Sequence, residues 1–178
     1  MVIKVLDDAL ISKIAAGEVI ERPSSVVKEL IENSIDADST AIKVEVVNGG
    51  KGLIKITDNG RGMNKEDAKL SVKRHATSKI MDENDLFDIS TLGFRGEALA
   101  SIAAVSKMKL VTRQEDSVEG CKILLSGGEI IKDETIGSSV GTSIEVAELF
   151  FNTPARQKYL KANTAESVSY THLRAHET

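Results

Sequence analysis

Pro23-Ser24-Ser25-Val26-Val27-Lys28-Glu29-Leu30-Ile31-Glu32-Asn33-Ser34-Ile35-Asp36, with the alternating runs Ile42-Lys43-Val44-Glu45-Val46 and Ile54-Lys55-Ile56-Thr57 after it, is the stretch that decides the fold class. Val26, Val27, Leu30, Ile31 and Ile35 recur at helical spacing, and Pro23 stands where a first helical turn tolerates it, so a helix is expected over 23–37. The two alternating runs flank Asn48-Gly49-Gly50-Lys51-Gly52, the pattern of a hairpin. Working outward, 65–74 has the spacing of a polar, basic helix, and 97–105, with Leu99, Ile102 and Ala103, that of a better packed one. Alternation returns in Met108 with Leu110, Cys121 with Ile123 and Leu125, and Ile144 with Val146. These predict three more strands, separated by Gly127-Gly128 and Gly137-Ser138-Ser139. A helix, a hairpin, helices and then strands predict an α+β fold: one mixed, mostly antiparallel sheet with helices over one face.

Composition narrows the function classes. With 178 residues the chain can form one ordinary domain and needs no disulfide scaffold. Cys121 is its single cysteine, and no charged-then-apolar leader opens the sequence, which favours a cytoplasmic setting, the bacterial cytosol. Hydrophobic residues make up 41% and charged residues 28%, without an apolar run of membrane-spanning length, so membrane and disordered classes fall away. The net charge of −4 argues against broad nucleic-acid binding by this segment, and aromatics at 3% make a base-stacking platform improbable.

Placed on a wheel of about 100° per residue from Val26, the apolar positions and Ser34 fill an arc from about 0° to 180°, and Glu29, Asn33 and Asp36 gather at about 280° to 340°. Glu29 and Asn33 are one turn apart, so a carboxylate that polarises water can sit beside an amide oxygen suited to a sparse Mg²⁺ site. A solvated helix face is the plain alternative. Asp58-Asn59-Gly60-Arg61-Gly62-Met63 follows the second strand of the hairpin: an aspartate there can accept from a purine amine, with glycines letting a flat ring approach, or can simply anchor a turn. Thr91-Leu92-Gly93-Phe94-Arg95-Gly96-Glu97-Ala98-Leu99 is a glycine-punctuated entry into a helix, either a phosphate cradle of backbone N–H groups or a tight packing turn. Thr77-Ser78-Lys79, preceded by Lys65, Lys69 and Lys73 at spacing four, suits a lid over phosphates or an ordinary basic surface. A P-loop is excluded, because no G-x-x-x-x-G-K-[ST] occurs.

Taken together and in order, the Glu29 to Asn33 helix, Asp58-x-Gly60-x-Gly62, Gly93-x-x-Gly96 and Gly141-Thr142 resemble the GHKL ATPases, the group of gyrase-type topoisomerases, histidine kinases and ninety-kilodalton heat-shock chaperones. Within that group Ala15-Ala16-Gly17-Glu18-Val19-Ile20-Glu21-Arg22-Pro23, Arg74-His75-Ala76-Thr77-Ser78-Lys79, Gly93-Phe94-Arg95-Gly96-Glu97-Ala98-Leu99 and Asn152-Thr153-Pro154-Ala155-Arg156 resemble the MutL mismatch-repair family. The resemblance implies a Bergerat-type α/β sandwich over 1–166, truncated before the family's second domain. It implies ATP and Mg²⁺ as cofactors, with Glu29 as general base and Asn33 as the metal ligand. Asp58 would read the adenine amine with support from Thr142, Ala37, Gly60, Gly62 and Met63 would shape the base pocket, Thr77, Ser78 and Lys79 would belong to the lid, and Gly93 to Leu99 would wrap the phosphates. By the same resemblance the output is an ATP-driven switch that dimerises, receives a signal from a MutS-type mismatch sensor and passes it to a downstream helicase or nuclease, with DNA held mainly by regions outside this chain. The alternatives are a nucleotide-binding module that does not hydrolyse, or another GHKL protein such as a topoisomerase.

The segment 167–178 stands apart. It carries two of the three histidines, His172 and His176 at i and i+4, and its shifted composition reads as a non-native or disordered tail. A metal clamp by that pair is disfavoured, because no third ligand is near in sequence.

Overall fold

The computed structural model describes residues 7–73, 97–162 and 169–174. The decisive helix is α2, Pro23–Asp36, with Pro23 in its first turn and Val26, Leu30 and Ser34 buried. Val27 and Ile31 pack partly against the core, but Ile35 is 47% exposed, so the apolar arc is narrower than the wheel predicts. Helix α1, Asp8–Val19, precedes it, started by the Asp7 carboxylate accepting from Leu10 N at 2.7 Å. Strands β1, Ala41–Val47, and β2, Leu53–Asp58, form the expected hairpin around a 3-10 turn at Asn48–Gly50. Helices α3, Lys65–Ser71, and α4, Ala98–Ala104, come next, followed by β3, Lys107–Arg113, β4, Gly120–Ser126, β5, Glu129–Ile136, and β6, Gly141–Ala147. Helix α5, Pro154–Ala162, and strand β7, Ser169–Arg174, complete the described chain.

The strands form one seven-stranded sheet in the order β5-β4-β3-β6-β2-β1-β7, and every pairing in it is antiparallel. Register builds three rows on the helix-covered face. Val46, Ile54, Val146, Met108 and Leu125 lie side by side, as do Val44, Ile56, Ile144, Leu110 and Ile123. The third row runs Ile42, Asp58, Thr142, Thr112, Cys121 and turns polar in its middle. Fully burying each aliphatic side chain of the first two rows contributes about 1.5–3 kcal/mol, which fixes that face inward and sets the register. Helix α2 packs on β2, α3 on β4 and α4 on β3 and β4, while α1 lies against α4. Helix α4 can be buried between layers because its sequence, ALASIAA, is dominated by small side chains.

Three elements had no clear periodic signal. β5 reads EIIKDETI, with adjacent Ile130 and Ile131 exposed and no alternation, as suits an edge strand. α1 and α5 are short or weakly amphipathic, and a side chain of α5 caps α1 from a distance. Arg156 donates through Nη1 to Ile20 O and through Nη2 to Gly17 O, both at 2.9 Å, closing the C-terminal end of α1. Asn152 Nδ2 donates to Ala104 O at 2.8 Å and closes α4 in the same way. The run Asn152-Thr153-Pro154-Ala155-Arg156 thus ties two helix ends together. At the tail, Ser169–Arg174 pairs antiparallel with β1 as an edge strand.

Candidate functional site

The polar middle of the third row is where chemistry gathers. Asp58 closes β2 and lies in register with Thr142 at the start of β6. Its Oδ1 accepts from Gly60 N at 2.9 Å and Thr142 N at 3.2 Å, and its Oδ2 accepts from Ser34 Oγ at 2.8 Å. Hydrogen bonds to an ionised carboxylate are worth about 1.5–3 kcal/mol each, so this side chain is held by three elements at once. A carboxylate offers about four acceptor positions. Among the described residues three are used, two on Oδ1 and one on Oδ2, so Oδ2 can take one more donor of the kind an amino group supplies.

Beside it, Thr112 is 1% exposed and its Oγ1 accepts from Met63 N at 2.9 Å. The same oxygen lies 3.1 Å from Gly141 O and 3.0 Å from Thr142 Oγ1. Ser34 and Thr112 were not singled out from sequence. The signal for Ser34 was a hydroxyl inside an apolar helical arc, and for Thr112 a threonine at the inward phase of a strand otherwise carrying Met108 and Leu110.

The glycines serve a different immediate purpose from ring approach. A Cβ at Gly60 would lie 2.6 Å from Ser39 Oγ and 2.7 Å from Ala37 O, one at Gly62 would collide with Arg113 O, and one at Gly141 with Asp58 O. Gly62 and Gly141 also hold φ of +67° and +108°. They let the loop after β2 and the start of β6 close on neighbouring backbone, which is what brings Gly60 N and Thr142 N to Asp58. Ala37 belongs to the same closure, since Ala37 O accepts from Arg61 N at 2.9 Å.

Helix α2 carries Ser34 inward, with Glu29 and Asn33 half-buried on its neighbouring faces. Met63 packs partly against the core, as does Leu99, while Glu97 and Ala98 are half-buried at the start of α4. Thr77, Ser78, Lys79, Gly93, Phe94, Arg95 and Gly96 lie outside the described residues. Two of the three spaced lysines have ordinary partners: Lys65 reaches Asp133 at 3.8 Å and Lys69 pairs with the same carboxylate. The hydrogen bond from Lys69 leads in holding the Asp133 carboxyl below its usual range. Cys121, at the far end of the row, has its thiol pushed up by burial and is not poised as a thiolate.

No group of three His, Cys, Asp or Glu gathers among the described residues. Among the described residues no helix is long and apolar enough to cross a membrane.

Comparison with known proteins supplies the family and the fold. Residues 20–147 match the model of the histidine kinase-, DNA gyrase B- and HSP90-like ATPase family. DNA mismatch repair protein MutL of Caldanaerobacter subterraneus subsp. tengcongensis is 55% identical over 171 residues, 96% of this chain and 29% of that protein. Solved structures are similar too. The Aquifex aeolicus MutL ATPase domain complexed with ADP has a TM-score of 0.63 at 40% identity, covering 79% of this chain and 48% of that one. The N-terminal domain of a DNA repair protein has a TM-score of 0.71 at 32% identity, covering 86% and 43%. The chain spans under a third of the length of the curated relative it matches. It belongs to the histidine kinase-, DNA gyrase B- and HSP90-like ATPases, and within them to the MutL-type ATPase domains of DNA mismatch repair.

Proposed function

We propose that this chain binds ATP with Mg²⁺ and hydrolyses it slowly, as the switch of a MutL-type mismatch-repair protein in the bacterial cytosol. The observation that carries the reading is Asp58, fixed by Ser34 Oγ, Gly60 N and Thr142 N at the end of β2, the strand against which α2, the helix that carries Glu29 and Asn33, packs. The ADP complex of the Aquifex aeolicus relative supports it. In this reading Asp58 accepts from the adenine amine beside Thr142, while Ala37, Gly60, Gly62 and Met63 shape the base pocket. Glu29 orients and deprotonates the attacking water, and Asn33 supplies a ligand oxygen to the cation. Mg²⁺, when bound with the triphosphate, neutralises phosphate charge. Lid residues Thr77, Ser78 and Lys79 and the run from Gly93 to Leu99, by way of Phe94, Arg95, Gly96, Glu97 and Ala98, hold the phosphates. Phosphoryl transfer needs mainly positioning and charge neutralisation, so this set is chemically sufficient.

Binding of the γ-phosphate would order the lid and favour a dimer of two such domains, carrying the signal of a MutS-type sensor to a helicase or nuclease. DNA would be held mainly by parts of the protein beyond this segment. The test is multiple-turnover phosphate release from ATP and Mg²⁺, with ADP binding measured in parallel. Glu29→Ala is expected to stop turnover and leave ADP binding intact. Loss of both together would overturn the assignment of Glu29 as base, and binding without turnover in the unaltered chain would favour a module that does not hydrolyse.

A further inference from the structure

Thr112 is not among the residues assigned to the base, yet its hydroxyl lies 3.0 Å from that of Thr142, which is. Its hydroxyl is buried and carries one proton against three neighbours: Met63 N at 2.9 Å, Gly141 O at 3.1 Å and Thr142 Oγ1 at 3.0 Å. Met63 N–H can only donate and Gly141 O can only accept. Thr112 Oγ1 therefore accepts from Met63, and giving its own proton to Gly141 O satisfies both fixed partners. The remaining short contact is then filled if Thr142 donates its proton to Thr112 Oγ1. That leaves the Thr142 hydroxyl with lone pairs alone for anything bound beside Asp58, which is itself an acceptor.

We propose that Thr112 is a specificity-determining positioning residue, which orients the Thr142 hydroxyl as an acceptor so that the pocket favours a 6-amino purine over a 6-keto purine. The inference deepens the proposed adenine-reading role of Asp58 and rests on it. Adenine presents N–H donors at its 6-position and guanine presents a carbonyl acceptor there. Two acceptors side by side match the first and repel the second, and polar mismatches in a closed pocket discriminate more strongly than missing apolar contacts. The same hydroxyl fixes Met63 N, so the loop after β2 and the first residue of β6 are locked to one atom of β3.

The test is calorimetric titration of the whole chain with ADP and with GDP, for the unaltered protein, Thr112→Val, Thr112→Ser and Asp58→Ala. Valine keeps the shape, orphans Met63 N–H and frees the Thr142 proton to point at a ligand carbonyl. Thr112→Val is expected to weaken ADP binding about tenfold and to narrow the ADP-over-GDP ratio, whereas Thr112→Ser keeps both. Thr142→Val, which leaves Thr112 its two fixed partners, should narrow the ratio even if Thr112→Val does not fold. A folded Thr112→Val with unchanged ADP affinity and ratio would overturn the proposal, and so would equal narrowing in Thr112→Ser. Asp58→Ala binding ADP like the unaltered chain would overturn the pocket reading together with the proposal, while its loss of binding alongside an indifferent Thr112→Val would overturn the proposal alone.

Discussion

On one face of the sheet Val44, Ile56, Ile144 and Leu110 run side by side across four strands beneath the helices; on the other, Glu45, Lys55, Glu145 and Lys109 cross the same four strands one residue along. The first row is buried. The second is a ladder of alternating charge in which Glu145 bridges Lys109 at 2.7 Å and Lys55 at 3.2 Å, with Lys43 on Glu45 at 2.7 Å close by. Burial free energy scales with apolar area removed from water, whereas solvent-exposed ion pairs contribute about 0–1 kcal/mol. The comparison teaches that the helix-covered face carries the stability and holds the candidate site. Its rows are apolar until the third, where Asp58, Thr142 and Thr112 replace aliphatic side chains and the site appears.

Substitutions that interrogate each face should therefore differ in size. Leu110→Ala, at the centre of the covered face, is expected to lower unfolding free energy by about 2–5 kcal/mol in urea denaturation. A loss below that of an open-face substitution would break the comparison. Gly141→Ala adds a Cβ against Asp58 O at φ +108° and should cost about 1–3 kcal/mol of stability while weakening nucleotide binding, because it displaces the backbone that donates to Asp58. Ser34→Ala removes the donor to Asp58 Oδ2 and should weaken ADP binding about three- to tenfold while costing about 1.5–3 kcal/mol of stability. A large melting shift without an effect on binding would assign Ser34 to the core alone.

Glu145→Gln, on the open face, is expected to change stability by less than about 1 kcal/mol, and the small effect should shrink further in high salt. That face also sets an acid dependence. Burial works to raise the Glu145 carboxyl, but hydrogen bonds from Lys109 and Lys55 outweigh it and hold it below the usual range. Lys122 and Lys132 hold Glu134 at about 2. Both are lowered in the folded state, so their contribution is present above the unfolded carboxylate value of about 4.3 and disappears as pH falls through the folded value. Melting temperature should fall between pH 5 and pH 2, values set by the unfolded pKa of about 4.3 and the folded pKa of about 2. The fall should be shallower in Glu134→Gln. An identical slope in that variant would remove Glu134 from the acid dependence.

The covered face was largely legible in sequence because its signals are periodic. Val26 and Leu30 repeat at helical spacing, and Ile54, Ile56, Met108, Leu110, Ile144 and Val146 alternate, so α2, β2, β3 and β6 could be placed. β5 was not, because an edge strand with exposed Ile130 and Ile131 has no buried face to impose alternation. α5 and the ends of α1 and α4 depend on Arg156 and Asn152 reaching carbonyls far away in sequence, which no local pattern encodes. At the site, Asp58 stood out as an acid at a strand end followed by spaced glycines. Ser34 and Thr112 did not, since a hydroxyl on an inward phase is indistinguishable from a tolerated core residue until its partner is known.

The most direct test of the central claim is calorimetric titration of the chain with ADP beside its Asp58→Ala variant, with folding checked by circular dichroism. The account predicts saturable one-to-one binding that disappears in the variant while the fold remains. Equal affinity in both proteins would contradict it.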